Sequence, residues 1–470
     1  MPRITRRQAL AMGGSAATLL LSGAGGGDAP PTNSKHPHMS INTGRVRLVD
    51  GIPVEGFAAP EFQPVLREFE RNFRERGERG AACAIYHRGV KVVDLWGGYR
   101  ASDTLDPWEE GTLALVFSAS KGMAAAAMTV AHAQGLFDLD ERVATYWPEF
   151  AAAGKNEITV RQLLSHQAGL VGLDCQLNAD IIGEHDRMAE ILARQTTAWA
   201  PGEIHGYHTL TLGWYQNELI RRVDPRGRSL GTFFRDEIAR PLNVEFHIGL
   251  PSSVPDDRVA TVKGYRRIAL LGNISKLPPK MILSGMWPQS LVSKSVRCLG
   301  IDNPASVGDP VLRRVEIPSA NGIGQARAVA KIYEALASGG RELGLTQETF
   351  RELVAPAREP RKGTQDAILK IDTRYHMGFS RPSRHMPFGA SSNAFGCPGA
   401  GGCFGMGDPD EGLGLAYVTN EMGFQLFDDP REKAVRDACY ESLAGLRGRE
   451  RPPQPGRPSS ASTPSPRRST

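Results

Sequence analysis

The sequence predicts an α/β fold of the α+β type. An antiparallel central sheet is expected from the N- and C-terminal segments, flanked by helices and interrupted by a mostly helical insertion. Strand-like apolar runs occur near both ends of the 470-residue chain, at 81–96 and 402–419. The region between them carries apolar residues mainly at helical spacing, which favours helices over strands. The content of 40% hydrophobic and 23% charged residues is typical of a globular protein with a large core.

The N-terminal part of the sheet is predicted from a helix that is followed by a hairpin. Residues 28–58 are rich in Pro, Gly and Ser and are interpreted as a linker with an entry segment. Residues 62–76 have the spacing of an amphipathic helix, and the runs 81–87 and 91–96 flank a short turn. We therefore expect the folded domain to span residues 55–446.

The helical insertion and the C-terminal part follow from runs with a helical period, separated by Pro and Gly. Helices are predicted at 120–136, 142–150, 159–166, 186–195, 210–222, 230–239, 325–338 and 430–446. Residues 250–320 contain several prolines and are predicted to be mainly loops. Two final strands are expected around 402–406 and 413–419. A cleft is expected where the sheet meets the helical insertion.

The distribution of charge argues against a nucleic-acid-binding surface on the folded domain. The formal net charge is +5, but residues 1–40 contribute +3 and residues 447–470 contribute +5, which leaves −3 for the remainder. Domains that bind nucleic acid cluster Lys and Arg on their folded part, so no nucleic-acid partner is expected. Residues 447–470 consist mainly of Pro, Ser, Thr and Arg and are predicted to be a disordered tail.

Residues 1–38 have the form of a twin-arginine export signal with a linker. Arg6 and Arg7 precede a weakly apolar run, 9–21, and then a stretch of small residues. The run is too short to span a bilayer and no cysteine follows it, so no stable membrane anchor is expected. We therefore expect a periplasmic or secreted protein. A start of translation at Met39 would instead leave the protein in the cytoplasm.

The cysteines and histidines do not form a metal-binding pattern. The six cysteines are scattered, with no Cys-x-x-Cys pair, which argues against structural zinc. His205 and His208 are three residues apart, yet no third ligand cluster accompanies them. No metal and no cofactor are therefore expected.

Ser118 and Lys121 form the sequence feature that points most directly to chemistry. They are three residues apart at the start of the predicted helix 120–136, so their side chains share one helix face. A serine hydroxyl is a weak nucleophile unless a neighbouring group activates it. Free N–H groups and the dipole at a helix N-terminus favour negative charge there. Ser118 is thus the candidate nucleophile and Lys121 its activator.

Two further segments are candidates for the proton shuttle and the oxyanion donors that a serine hydrolase needs. Tyr207 lies in a turn-rich loop, and an ammonium group beside a tyrosine lowers the phenol pKa by favouring the phenolate. The glycine-rich stretch 395–402 leads into a strand, where a backbone N–H can approach a carbonyl oxygen. Each segment also has an ordinary structural interpretation, namely a packed tyrosine ring and a tight turn.

These three elements, in this order, resemble the serine β-lactamase-like superfamily, which includes class C enzymes, D-Ala-D-Ala peptidases and family VIII esterases. The resemblance covers roughly residues 55–445. It rests on the stretches FSASKGMAAAAM, FDLDERVATYWPEF, ITVRQLLSHQAGL, PGEIHGYHTLTLGW, SANGIGQARAVAKIY and CPGAGGCFGMGDPDEGLGLAYVTN. It implies a β-lactamase/transpeptidase-like fold with the active serine between the sheet and the helical part.

The resemblance also implies roles for individual residues. Ser118 would be the acylated nucleophile, and Lys121 and Tyr207 would share the role of general base. The backbone N–H groups of Ser118 and Ala400 would form the oxyanion hole. The positions of the family's substrate-binding motifs are occupied by His208, Thr209, Cys397 and Gly399.

Two departures from the family pattern bear on the substrate. The Tyr-x-Asn motif reads Tyr207-His208-Thr209, and the Lys-Thr-Gly motif reads Cys397-Pro398-Gly399. The asparagine and the cation that would help to hold a β-lactam are therefore absent, whereas attack on an ester needs only backbone donors. The sequence thus predicts a serine hydrolase, in the first place a carboxylesterase for a small-molecule ester or acyl substrate. The alternatives are an acyltransferase of natural-product biosynthesis and a weak β-lactamase or D-Ala-D-Ala peptidase.

A second serine motif, Gly227-Arg228-Ser229-Leu230-Gly231, matches the G-x-S-x-G pattern of α/β-hydrolases. That pattern requires a buried strand directly before it, but the residues before this motif are charged and include a proline. We therefore interpret Ser229 as a cap of the next helix rather than as a nucleophile.

Overall fold

A central antiparallel sheet joins the two ends of the folded region. The computed structural model describes residues 46–101, 103–264, 273–301 and 303–450. Its strands are β1 Arg47–Val49, β2 Ile52–Ala58, β3 Gly80–His87, β4 Val90–Ala101, β5 Asp106–Pro107, β6 Ala114–Leu115, β7 Phe246–His247, β8 Ile323–Gly324, β9 Tyr375–His376, β10 Phe379–Ser380, β11 Phe395–Pro398, β12 Phe404–Asp408 and β13 Leu413–Thr419.

The strand order confirms the predicted sheet. The larger sheet runs β1-β2-β4-β3-β13-β12-β11-β10-β9, with β5 paired to β4, and a smaller one runs β6-β8-β7. The N-terminal strands meet the C-terminal strands where β3 pairs with β13, from Ala81 opposite Thr419 to His87 opposite Leu413. This long-range pairing sets the position of β11, which reaches the candidate site.

Residues 47–58 form a hairpin at one edge of the sheet, so the interpretation of 28–58 as a linker was wrong for this part. Strand β2 pairs with β4 from Val54 opposite Gly97 to Ala58 opposite Val93. The two strands are short and only Val49 and Val54 are buried. Pairing of β2 with the longer strand β4 stabilises them, and local sequence pattern does not reveal such pairing.

The helices pack on both faces of the sheet and in the insertion. They are α1 Gln63–Glu75, α2 Ser120–Ala133, α3 Val143–Tyr146, α4 Val160–Leu164, α5 Ala179–Gly183, α6 His185–Arg194, α7 Thr211–Val223, α8 Leu230–Phe234, α9 Pro279–Gly285, α10 Leu291–Arg297, α11 Ala326–Ala337, α12 Gln347–Val354 and α13 Pro430–Glu450. Helices α1 and α13 pack against each other, and α11 packs on β3, β12 and β13. Within the described part of the chain, no helix is long and apolar enough to cross a membrane.

Most predicted helices are confirmed to within a few residues, but some segments differ. The predicted helix 142–150 is a single turn, α3, followed by a 3₁₀ segment at Pro148–Gly154. The predicted helix 230–239 divides into α8 and a π-helical turn at Arg235–Ala239. The region 250–320, predicted as mainly loops, contains α9 and α10.

Two predictions fall wholly or largely beyond the residues that the structure describes. The export signal expected at 1–38 and residues 451–470 of the expected tail lie outside the described ranges. The last helix continues to Glu450, so the first residues of the expected tail are helical.

Helix α2 lies in the interior and positions the candidate nucleophile. Every residue from Ser120 to Ala131 is buried, as expected for a helix with apolar or small residues on all sides. The run Ala124–Ala127 presents only methyl groups, so neighbouring elements can approach closely. Helices α7, α8, α11 and α12 and strands β10 and β11 contact α2. Its N-terminus therefore lies where the sheet meets the helical insertion.

Candidate active site

Ser118 lies on a strained turn between strand β6 and helix α2. The residue before it, Phe117, is buried and has a left-handed backbone, with φ of 49°. This conformation costs a bulky residue roughly 1–2 kcal/mol. The Ser120 hydroxyl donates to the Phe117 carbonyl and accepts a hydrogen bond from the N–H of Gly322 at 2.8 Å. These two hydrogen bonds of Ser120 hold the turn in place. Ser118 itself is half-buried and lines a cavity.

The Lys121 side chain is enclosed and its amine makes three contacts. It is 1% exposed, and within the described residues it forms no ion pair with a carboxylate. Its Nζ lies 2.7 Å from the carbonyl oxygen of Thr209 and 2.9 Å from that of Ser319. The third contact is with Ser118 Oγ at 3.3 Å. The prediction that Ser118 and Lys121 approach each other is confirmed as a matter of geometry.

Burial without a counter-charge lowers the pKa of Lys121 to about 7, because removal from water disfavours the ammonium form. A neutral amine has two N–H groups and one lone pair. The two carbonyl oxygens of Thr209 and Ser319 accept both N–H groups. The lone pair is then left for the hydroxyl proton of Ser118, so the arrangement can act as a general base at neutral pH.

Tyr207 lies beside this pair, but its pKa is shifted opposite to the sequence-based expectation. Lys121 Nζ lies 4.6 Å from the centroid of the Tyr207 ring. Burial raises the pKa of Tyr207 well above its usual range, and a hydrogen bond with Ser118 opposes that shift only in part. The expectation of a lowered pKa was wrong, because the neighbouring amine is itself buried and readily neutral. Tyr207 is therefore a phenol that can donate a proton.

The loop that carries Tyr207 is held by Asp366, which no sequence pattern revealed. The Asp366 carboxylate is fully buried and accepts the backbone N–H of Tyr207 at 3.1 Å. It also accepts the N–H groups of Ile368 and Leu369, each at 2.8 Å, and the Tyr375 hydroxyl at 3.1 Å. A buried carboxylate with several donors is an anchor for both loops.

Aromatic packing fixes the orientation of the Tyr207 ring. The rings of Tyr207 and Tyr375 stack with centroids 6.1 Å apart. His166 packs against both, at 5.1 Å from Tyr207 and 4.4 Å from Tyr375. These contacts restrict the rotamer of Tyr207 in the absence of any bound molecule.

The glycine-rich stretch 395–402 passes directly against the nucleophile turn. A Cβ on Gly399 would lie 2.3 Å from the Val116 carbonyl oxygen, so only glycine permits this approach. Within the described residues, neither the N–H of Ser118 nor that of Ala400 donates a hydrogen bond. Both residues line the same cavity. Their N–H groups are thus free to donate to a group bound in the cavity.

Arg431 anchors this stretch from the opposite side. Its guanidinium donates to the Gly401 carbonyl oxygen at 2.7 Å and to the Asp429 carboxylate at 2.8 Å. It also lies 3.3 Å from Glu78 Oε2 in the interior. These charge-assisted bonds hold the turn that presents Ala400.

The four expected substrate-binding residues do not lie in equivalent places. Thr209 and Gly399 line the cavity beside Ser118. His208 is buried behind it, where its Nε2 accepts the N–H of Leu170 at 3.1 Å, and burial lowers its pKa to about 3. Its position gives it a structural contact and not a contact with the cavity.

Cys397 is also buried, and it contacts the nucleophile from behind. Its Sγ donates to the Ser118 carbonyl oxygen at 3.0 Å. Burial raises the pKa of the Cys397 thiol to about 11, so the group remains a neutral thiol. The position that carries a cation in the family's motif therefore holds an uncharged side chain that is not part of the cavity wall.

The cavity above Ser118 has a volume of about 330 Å³ and is predominantly apolar. Its lining residues are Ser118, Tyr207, Thr209, Met281, Val292, Ser295, Val296, Ile368, Leu369, Tyr375, Ser380, Met386, Pro398, Gly399, Ala400, Leu426 and Phe427. None of these side chains is ionised at neutral pH, since the pKa values of Tyr207 and Tyr375 are both raised well above their usual range. The cavity suits an uncharged, apolar group next to the nucleophile.

Comparisons with known proteins agree with this architecture. The sequence model of the family described as "Beta-lactamase" matches residues 66–440, which is most of the chain. The chain belongs to the β-lactamase family. The resemblance noted in the sequence and the predicted fold class are thereby confirmed.

Individual relatives of this β-lactamase-family chain include esterases. LipL of Mycobacterium tuberculosis, named an esterase/β-lactamase, is 35% identical over 379 residues, covering 79% of this chain and 84% of LipL. The crystal structure of a family VIII carboxylesterase is 34% identical, covers 83% of this chain and 99% of its own, and has a TM-score of 0.72. A penicillin-binding-protein homologue from Caulobacter crescentus is also 34% identical, with coverage of 83% and 99% and a TM-score of 0.69. The β-lactamase-family chain is therefore a serine hydrolase.

Sequence reasoning missed several residues at this site. Asp366, Tyr375 and Ser380 follow the helical insertion in a region without a family motif, and the segment with Met281 and Val292 was predicted as loop. No spacing in the sequence links these positions to Ser118. Ser229, by contrast, behaves as predicted: its hydroxyl accepts the N–H of Thr232 and caps α8.

Proposed function

We propose that this protein is a carboxylesterase that acts through an acyl-enzyme on Ser118. One observation carries the proposal above all others. The Lys121 amine has carbonyl acceptors for two N–H groups, which leaves its lone pair for the Ser118 hydroxyl at 3.3 Å. With its pKa lowered to about 7, a large fraction of the amine is free to accept a proton at neutral pH.

In the first half of the proposed reaction, the Ser118 oxygen attacks the ester carbonyl carbon and its proton passes to Lys121. The carbonyl π electrons move to oxygen, and the N–H groups of Ser118 and Ala400 stabilise that oxyanion. The tetrahedral intermediate collapses with cleavage of the bond to the alcohol oxygen. Tyr207 donates a proton to the departing alkoxide and regains one from the Lys121 ammonium.

In the second half, water attacks the acyl-enzyme carbonyl and gives up a proton to the neutral Lys121 amine. The same two N–H groups hold the second oxyanion. Collapse breaks the bond to the Ser118 oxygen, which takes the proton back, and the carboxylic acid leaves. The cycle needs no metal or cofactor for its balance of atoms and charge.

The cavity supports esters with uncharged, apolar groups. Its lining is predominantly apolar, and Cys397 stands where the family's motif has a cation. The similarity to a family VIII carboxylesterase and to LipL, an esterase/β-lactamase, supports an ester substrate. Penicillins carry a carboxylate that finds no cationic partner at residue 397, so we propose weak turnover of β-lactams at most.

The test uses two serines that both stand in catalytic-type motifs. We expect Ser118→Ala to abolish turnover of a p-nitrophenyl short-chain ester, because the attacking oxygen is gone. The matched variant Ser229→Ala should keep the turnover number per folded molecule. Retained activity in Ser118→Ala would refute the proposal, as would an acyl adduct found by intact mass on any other residue.

The same assay addresses acyl transfer. Added alcohols compete with water for the acyl-enzyme, so product analysis measures how the acyl group partitions. A carboxylesterase releases mainly the acid at moderate alcohol concentration. Predominant formation of the new ester would instead favour the acyltransferase alternative on the same nucleophile.

A further inference from the structure

One wall of the cavity is formed by a two-helix segment, residues 276–297, which contains α9, a short turn and α10. Met281 from α9 and Val292, Ser295 and Val296 from α10 line the cavity above Ser118. The segment therefore lies between the bulk solvent and the apolar space that would receive a substrate.

The outward face of this segment is unusually apolar. Leu283, Met286 and Trp287 are 64%, 73% and 68% exposed. They stand at i, i+3 and i+4, so they share one face of the helical turn, whereas Met281 points the other way into the cavity. Among the described residues, nine large apolar side chains are exposed, and these three account for a third of them. Such a concentration marks an interaction surface.

The charges of the segment have a single sign. Residues 276–297 contain Lys276, Lys280, Lys294 and Arg297 and no aspartate or glutamate. Lys294 is paired with Asp174 at 2.5 Å, which leaves a net positive face. Lys280 precedes Leu283 by three residues and Trp287 by seven, so it lies on the same side of the helix as these exposed apolar residues.

A second cavity of about 660 Å³ lies beside the first, on this basic side. Lys276 and Lys280 line it, and Leu426 and Phe427 line both cavities. The basic residues of the segment therefore lie next to a cavity that adjoins the space above Ser118.

We propose that residues 276–297 dock on an anionic lipid–water interface. The exposed Leu283, Met286 and Trp287 enter the headgroup region, where an amphipathic aromatic side chain is favoured, and the lysines face the anionic headgroups. Docking brings the apolar cavity next to lipid-dissolved esters. The binding itself is independent of catalysis, whereas delivery of an ester to Ser118 rests on the proposed function.

Vesicle binding by the full chain tests the surface. The protein should partition onto vesicles of phosphatidylcholine mixed with phosphatidylglycerol much more strongly than onto phosphatidylcholine alone. We expect the combined variant Leu283→Ser, Met286→Ser and Trp287→Ser to weaken partitioning about tenfold or more. Lys276→Gln combined with Lys280→Gln should weaken it by about tenfold and reduce its salt dependence.

Control variants change residues of the same type elsewhere. Leu48 is 71% exposed on the edge hairpin, and Lys433 lies on α13. Leu48→Ser and Lys433→Gln should leave partitioning unchanged. Binding that resists both segment variants would place it elsewhere on the chain, the basic termini included, and would overturn the proposal. A variant effect on self-association of the protein, measured without lipid, would overturn it in favour of a dimer surface.

Two measurements distinguish a failure of the docking proposal from a failure of the proposed function. Ser118→Ala should bind vesicles like the unmodified protein, so a failed nucleophile assignment would leave the docking result intact. The triple apolar variant should keep turnover of a soluble short-chain ester and lose about tenfold on a long-chain ester presented in anionic vesicles. If the variant loses the same share of its activity on both substrates, the substitutions have damaged the fold. If it keeps full activity on both, the segment does not deliver esters from the interface to Ser118.

Discussion

Replacing Lys121 by methionine isolates the one titration on which the proposed chemistry depends. The methionine side chain has a similar length and is readily buried because it is apolar, but it accepts no proton. We expect kcat to fall by roughly 10²–10⁴, the usual contribution of a general base. The unmodified enzyme should show kcat/KM that rises with pH and reaches half its maximum near pH 7, because Lys121 must be neutral to act.

The stability of the two proteins should diverge with pH in a direction fixed by the lowered pKa. The unfolded chain holds the lysine proton up to about pH 10.4, whereas the folded protein releases it near 7. Between these values the unfolded state binds more protons, so the free energy of unfolding increases with pH by up to about 1.4 kcal/mol per pH unit. Lys121→Met lacks this contribution.

The magnitude follows from that slope. From about pH 7.5 to about pH 9.5, the free energy of unfolding of the unmodified protein minus that of Lys121→Met should rise by roughly 2–3 kcal/mol. Urea unfolding at several pH values measures this difference, and groups that titrate alike in both proteins cancel. The absolute stability of the variant is less informative, because the Thr209 and Ser319 carbonyl oxygens lose their donor.

If the difference in the free energy of unfolding between the two proteins does not change across this pH range, Lys121 keeps its proton in the folded protein. The lone-pair argument would then fail, even if the variant were inactive. A flat pH profile of kcat/KM near neutrality would contradict it independently.

Three further changes test neighbouring contacts. Tyr207→Phe should lower kcat about 10²-fold or more for an alkyl ester but much less for a p-nitrophenyl ester, whose leaving group needs no proton; equal losses would contradict the proton-donor role. Asp366→Asn should lower kcat with little change in KM, because the Asp366 carboxylate holds the Tyr207 N–H. It should also reduce the free energy of unfolding by about 2 kcal/mol. Steady-state kinetics measures the first effect and urea unfolding the second. Gly122→Ala places a Cβ 1.9 Å from the Tyr333 hydroxyl oxygen. We expect this clash to lower the free energy of unfolding, measured with urea, by about 1–3 kcal/mol. Unchanged stability would show that the Tyr333 ring can move to make room.

Much of the fold could be predicted because local pattern and local structure coincide. Helices α1, α2, α7 and α11 carry long helical periods, and β3, β4 and β13 carry extended apolar runs between turns. The edge hairpin at 47–58 and the short strands β9 and β10 could not be predicted, because pairing with neighbours stabilises them more than their own residues do.

The sequence by itself determined the nucleophile candidate, its amine partner three residues on, and the glycines that let β11 approach. These features are local, because helical spacing and the absence of a side chain act over a few residues. It also determined that no cation stands at residue 397.

Only the tertiary structure decided the protonation states. Burial of Lys121 and Tyr207 among distant segments lowers one pKa and raises the other, which reverses the sequence-based expectation for the tyrosine. It also brought Asp366 under the Tyr207 loop and placed residues 276–297 over the cavity. Desolvation and long-range contact depend on what surrounds a group in space, and no spacing along the chain records that.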